Sequence, residues 1–166
     1  VMPECVKRVN AVRNFRLASA RASTKKLADF PLSFATINIP EDNYIVIPKV
    51  SSEHRRYIPM GFLDRNILSS DLVFIVPNTT LYHLGVLTSN VHMAWMRVVC
   101  GRLKSDYRYS KDVVYNNFPW PFSLPAGEGR GEANIAQTAQ AILDVRAKYP
   151  DSSLADLYDP ATMPYD

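Results

Sequence analysis

The sequence predicts an α+β fold, a mixed curved β-sheet with flanking helices. Three observations point to it. Valines at helical spacing open the chain, and β-branched and aromatic runs broken by turn residues fill positions 35 to 77. Two capped helical stretches then lead into a short tyrosine-rich segment. With 166 residues, 47% of them hydrophobic and 21% charged, the chain has the composition of a globular domain rather than a disordered one.

Val6, Val9 and Val12 set a helix from residue 3 to about 22, with Lys7, Arg8, Arg13 and Arg16 on its other side. Phe30-Pro31 stops any continuation, because a residue before proline disfavours the helical region. Strands are expected at 35–39, 44–50, 57–63 and 72–76, separated by Pro40-Glu41-Asp42-Asn43, Ser51-Ser52-Glu53 and Asp64-Arg65-Asn66. Pro48 and Pro59 lack a ladder donor and mark edge strands or bulges. Asn78-Thr79-Thr80 caps a helix at 81–87, and Ser89 caps a second at 90–100. In the second helix Val91, Ala94, Trp95 and Val98 form one face, and Gly101 ends it at the C′ position. Closing strands are expected at 107–109 and 113–117, with Phe118-Pro119-Trp120-Pro121 as an exit segment.

Residues 123–132, around Pro125-Ala126-Gly127-Glu128-Gly129-Arg130-Gly131, read as a linker. Beyond it Ile135, Ala139, Ile142 and Leu143 mark an amphipathic helix to about Lys148, and Ser153 caps a short turn through Leu154 and Leu157. The division is then one domain over 1–122 and the start of a helical, truncated one over 133–166. A start on Val1 fits a piece of a longer chain, and no signal peptide or membrane span is expected.

Net charge is +3 but unevenly spread. Lys7, Arg8, Arg13, Arg16, Arg21, Lys25 and Lys26 face a single acid, Glu4, while Arg97, Arg102, Lys104, Arg108 and Lys111 surround Asp106. The tail is acidic, through Asp144, Asp151, Asp156 and Asp159. A polyanion would meet the first two regions and avoid the third.

Cys5 and Cys100 fit no metal or redox spacing, and His54, His83 and His92 lack the neighbours of a metal site, so no metal is expected. Gly127-x-Gly129-x-Gly131 follows proline-rich sequence instead of a buried strand, which favours linker over nucleotide loop. Asn117-Phe118-Pro119-Trp120 imitates the Asn/Asp-Pro-Pro-aromatic turn of amino-methyltransferases, but Phe118 replaces the first proline and no early glycine-rich turn exists to hold S-adenosylmethionine. No catalytic site and no bound cofactor are therefore expected. The alternation Arg102, Lys104, Tyr107, Arg108, Tyr109, Lys111 is recognition chemistry, cations for phosphates and guanine, tyrosines for stacking or hydrogen bonds.

Several long motifs occur in order. They are Ser51-Ser52-Glu53-His54-Arg55-Arg56-Tyr57-Ile58-Pro59-Met60, Ser89-Asn90-Val91-His92-Met93-Ala94-Trp95, Gly101-Arg102-Leu103-Lys104-Ser105-Asp106-Tyr107-Arg108-Tyr109-Ser110 and Val114-Tyr115-Asn116-Asn117-Phe118-Pro119-Trp120-Pro121. Together they resemble the target-recognition domain of the MmeI-like family of bacterial restriction–modification enzymes. The tail from Leu154 through Pro160 to Pro164 resembles the start of that family's small helical C-terminal domain.

The resemblance implies a fold similar to the halves of type I specificity subunits. It also implies double-stranded DNA as partner, a methyltransferase domain in the same or a partner chain, S-adenosylmethionine for the parent adenine-N6 methyltransferase, and a bacterial cytoplasmic setting without membrane. A fused nuclease, or a separately encoded specificity or adaptor protein, stays open. By the same resemblance Lys104 and Asp106 read one base pair, pointing the same way from an extended segment. Asp71 or Leu72 acts nearby with Lys49 or Arg108. Arg55, Arg56, Arg102 and Lys111 are the expected phosphate contacts.

Overall fold

The structure is a computed structural model describing residues 2–121 and 130–164. It divides into two compact units, Val1–Ile39 and Pro40–Asp166.

In the first unit α1 (Pro3–Leu17) begins with a proline at a position where its missing N–H costs nothing. The helix ends before residue 22 because the Ser19 hydroxyl accepts from the Arg21 N–H at 3.2 Å, a local bond that competes with the helix. A second helix, α2 (Ala22–Lys26), runs into a 3₁₀ turn, Leu27–Asp29. Arg16 binds this return stretch to α1 by donating to the carbonyls of Leu27, Phe30 and Ser33, each at 2.8 Å. The strand expected at 35–39 does not form, and Ile37 and Ile39 are exposed. A β-branched run needs a neighbouring ladder, and Pro40 removes the next donor.

The second unit holds two three-stranded antiparallel sheets. In one, β1 (Tyr44–Pro48) lies between β3 (Gly61–Leu63) and β4 (Val73–Val76), with Ile45 opposite both Phe62 and Val76. In the other, β2 (Val50–Ser51) pairs with β6 (Asp106–Arg108), which pairs with β5 (Gly101–Leu103). Pro48 explains the break between β1 and β2: the chain leaves one sheet there and enters the other after Lys49. Pro59 likewise shortens the strand expected at 57–63 to Gly61–Leu63.

Helix α3 (Leu81–Leu87) is capped at Thr80, whose N–H donates to His83 Nδ1 at 3.1 Å. Helix α4 (Asn90–Val99) is capped by Ser89 Oγ, which accepts from the His92 N–H at 3.1 Å. Its buried residues are His92, Met93 and Met96, with Trp95 of the predicted face partly buried against the same core, while Val91 and Val98 are 70% and 84% exposed. Both sides of α4 are apolar, so periodicity could not decide between them. Gly101 is no left-handed cap. Cys100 turns extended and Gly101 opens β5 opposite Arg108.

The strand expected at 113–117 is instead a π-helical turn, Lys111–Tyr115, started by Ser110 Oγ accepting from the Val113 N–H at 3.4 Å. Helix α5 (Arg130–Arg146) begins inside the expected linker, and residues 123–129 of that linker lie outside the described residues. It places Ala139 in the same core as Ile45, Ile47, Met60, Leu84 and Met96. α3 and α5 can approach closely because Gly85 has no side chain; a Cβ there would stand 2.6 Å from Ile135 Cγ2 and 2.8 Å from the Ile135 carbonyl oxygen.

His92 lies fully buried, with Nε2 3.0 Å from the Tyr109 hydroxyl and Nδ1 without a partner. Burial holds its pKa down at about 4, below the usual 6.5. The folded state therefore binds its proton less readily than the unfolded state. The stability is complete above pH 6.5 and is lost as pH falls towards 4, amounting to about 2 kcal/mol by pH 5. Denaturant midpoints measured from pH 7 to pH 5 should fall accordingly, and His92→Gln should flatten the profile; an equally steep profile in that variant would assign the loss to other groups.

Candidate nucleic-acid interface

Leu103 pairs with Asp106, so Lys104-Ser105 is a two-residue hairpin loop between β5 and β6. Lys104 has φ 56°, in the left-handed region that costs a side-chain-bearing residue about 1–2 kcal/mol. It is thus not on one extended segment with Asp106, and the predicted same-face alternation fails for this pair. The residues two apart on the strand are Asp106 and Arg108, which face away from the buried Tyr107 and Tyr109.

Asp106 Oδ1 accepts from the Glu53 N–H at 3.4 Å, and no ion pair joins Lys104 to Asp106 among the described residues. Arg102, opposite Tyr107, lays its guanidinium 4.1 Å from that ring's centroid and donates to the Ser105 carbonyl at 2.8 Å, clasping the loop.

A second group gathers where the two sheets meet. The Lys49 N–H donates to the Leu72 carbonyl and the Lys49 carbonyl accepts from the Tyr109 N–H, both at 2.9 Å. This draws Lys49, Asp71, Leu72 and Arg108 together. Lys49 Nζ is 2.9 Å from Asp71 Oδ1 and 5.2 Å from the centre of the Phe74 ring. The hydrogen bond from Lys49, then its charge, holds the Asp71 carboxyl below the usual range. Leu72 is 76% exposed beside them. Arg108 has Gly101 as cross-strand neighbour, so no side chain obstructs it there. Lys49, Phe74, Arg108, Tyr109, Ser110 and Lys111 line a cleft of about 480 Å³ that also meets Asp112. Phe74 and Ser110 belong to this site although sequence reasoning did not select them; the Ser110 capping position was the available signal.

The remaining predicted positions lie apart. Arg56 is exposed, with its guanidinium 5.5 Å from the centre of the Tyr57 ring, and its carbonyl accepts from Arg97. Arg55 is mostly buried and paired with Asp159 at 3.3 Å. The Asn117 amide donates to the carbonyls of Asp112 and Val113, capping the π-helical turn, while Phe118 is buried between His92 and Trp120.

Among the described residues no group of acids, histidines and cysteines could hold a metal, and no helix is long and apolar enough to cross a membrane. The described glycines, Gly61, Gly85, Gly101 and Gly131, stand in β3, α3, β5 and α5.

Comparison with known proteins supports the fold over nearly the whole chain. It is 39% identical over 162 residues to DNA methyltransferase A of Bacillus subtilis (strain 168), covering 98% of this chain and 18% of that protein. It superposes with a TM-score of 0.87 and 43% identity on a solved structure of the Type IIL restriction-modification enzyme MmeI in complex with DNA, over 96% of this chain and 21% of that one. The chain thus spans about a fifth of the length of the proteins it matches. Family models described as the MmeI target recognition domain and the MmeI C-terminal domain match residues 1–122 and 128–166. The chain belongs to the MmeI family, as its target recognition domain followed by its C-terminal domain.

Proposed function

We propose that this chain is the sequence-specific double-stranded DNA recognition module of a larger S-adenosylmethionine-dependent adenine-N6 methyltransferase in a restriction–modification system. The observation that carries this reading is the convergence of Lys49, Arg108 and Lys111 on one cleft, next to a hairpin that projects Lys104 and holds Asp106 outward. Cations grouped around an open cleft suit a polyanion, and donors and acceptors on a protruding hairpin suit base edges in the major groove. Lys104, Asp106 and Arg108, with Lys49, Asp71 and Leu72, are the base-reading set. Arg56, Arg102 and Lys111 hold phosphates, which position the module without specifying sequence. Arg55, already paired with Asp159, is left out of that set. In this reading methyl transfer and its cofactor are the work of the rest of the parent enzyme.

Salt dependence tests the reading. The chain should bind duplex DNA on the order of 10⁻⁴–10⁻⁶ M outside its preferred sequence, with affinity falling steeply as salt rises. Replacing Lys111 with Ala should reduce the slope of log affinity against log salt by about one unit with sequence preference unchanged, whereas Arg102→Ala, which also unclasps the hairpin loop, should lower the slope and the discrimination together. Binding that is insensitive to salt in the unaltered chain would overturn the assignment.

A further inference from the structure

The C-terminal segment does more than follow the recognition globule in sequence. Its 3₁₀ turn, Asp156–Tyr158, is built firmly: Ser153 Oγ donates to Asp156 Oδ2 at 2.6 Å, and Tyr158 accepts from Arg146 Nε at 3.2 Å. Asp159 closes that turn. Its backbone carbonyl accepts from Thr162 and Met163 at 3.1 and 2.8 Å, and its Oδ1 accepts from the Ala161 N–H at 3.0 Å. The carboxylate is therefore fixed before it meets anything else, and its second oxygen takes the Arg55 guanidinium.

Arg55 sits in the turn that leaves β2, where its N–H donates to the Ser52 carbonyl at 3.2 Å. In that same turn the Glu53 N–H donates to Asp106 Oδ1. One short path thus runs from the C-terminal segment, through Asp159, Arg55 and the Ser52–Arg55 turn, to the carboxylate on the reading hairpin.

We propose that Asp159 is a positioning residue for DNA specificity: by holding Arg55 it sets the turn whose Glu53 amide orients Asp106. The Arg55 side chain is only 19% exposed and its Nε has no partner, so Asp159 is what balances a largely desolvated cation. Without that carboxylate the guanidinium swings towards water and the turn moves with it. Asp106 then loses the amide that fixes which oxygen points outward. Arg97, bound to the Arg56 carbonyl, and Tyr57, donating to Asn90 Oδ1 at 2.8 Å, secure the far side of the turn.

This inference rests on the proposed reading in which Asp106 contacts a base, and the test separates the two. The full chain and its Asp106→Asn, Asp159→Asn, Asp159→Glu and Arg55→Gln variants are each used to select duplexes from a randomised pool, which are then sequenced, and thermal unfolding is followed in parallel. Asp106→Asn should change the preference at one position of the motif. Asp159→Asn and Arg55→Gln should blur that same position about threefold to tenfold, within the range of coupling between neighbouring residues. Preferences elsewhere and the salt slope should hold, and Asp159→Glu should restore most of the discrimination.

A motif unchanged in Asp159→Asn, or weakened equally at every position, while Asp106→Asn alters one, overturns the positioning role and leaves base reading intact. No change in Asp106→Asn overturns both. Should Asp159→Asn unfold, Arg55→Gln and Asp159→Glu distinguish the same outcomes.

Discussion

Gly85→Val is expected to destabilise the chain by at least about 3 kcal/mol, lowering the unfolding midpoint by roughly 6–12 °C. Even a single added carbon at this position would stand 2.6 Å from Ile135 Cγ2 and 2.8 Å from a backbone oxygen of α5. The side chain could rotate away, but the carbonyl cannot move without the helix. Gly85→Ala sets two effects against each other. Alanine gains about 1 kcal/mol of helix propensity over glycine, whereas the overlap costs about 1–3 kcal/mol, so a smaller net loss is expected. Pairing Gly85→Ala with Ile135→Ala removes the methyl overlap and not the carbonyl one, and should recover only part of the loss. A Gly85→Ala variant that melts higher than the unaltered chain would show that α3 and α5 do not approach so closely.

The other large effect concerns specificity. Exchanging Lys104 for Glu and Asp106 for Arg should change the preference at the base pairs that the β5–β6 hairpin meets, by about one to two decades in affinity, as expected for contacts worth about 1–3 kcal/mol. The lysine has donors only and suits guanine O6 and N7; the aspartate has acceptors only and suits the cytosine amine. Reversal sets acceptor against acceptor, so repulsion contributes as much as attraction. The hairpin geometry supplies a control. Lys104→Gly removes the side chain and relieves the left-handed backbone, so that variant should be no less stable while losing discrimination at the same position. Selection of bound duplexes by each variant distinguishes these outcomes, and an unchanged motif in both would remove Lys104 and Asp106 from the base-reading set.

What could be read in the sequence divides along a physical line. Helices α3 and α4 were legible because Thr80 and Ser89 announce them within three residues of the cap. The face that α4 buries was not, since Val91 and Val98 are as apolar as Met93 and Met96 and only packing against Tyr109 and Phe118 decides. The hairpin loop at Lys104-Ser105 carries no glycine or asparagine, so its left-handed residue left no trace in composition. At 113–117 strand propensity lost to two local caps, Ser110 and Asn117. Of the candidate site, Lys104, Asp106 and Arg108 stand out in sequence because they are close together. The meeting of Lys49 and Asp71 with Arg108 depends on pairings between distant segments, and Phe74 under Lys49 gave no signal of its own.

The passage of one strand from the first sheet into the second at Lys49 also governs when recognition becomes possible. The β5–β6 ladder is local and can form early, but its pairing with β2 closes a loop that contains β3, β4, α3 and α4. Contacts of such long sequence separation form slowly, because the entropy of closure is lost before they are gained. A chain halted before that step has the hairpin and all of its positive charge, yet Lys49 is not beside Arg108 and the cleft does not exist. On the proposed reading, the base-reading set is therefore complete only once β2 has paired with β6.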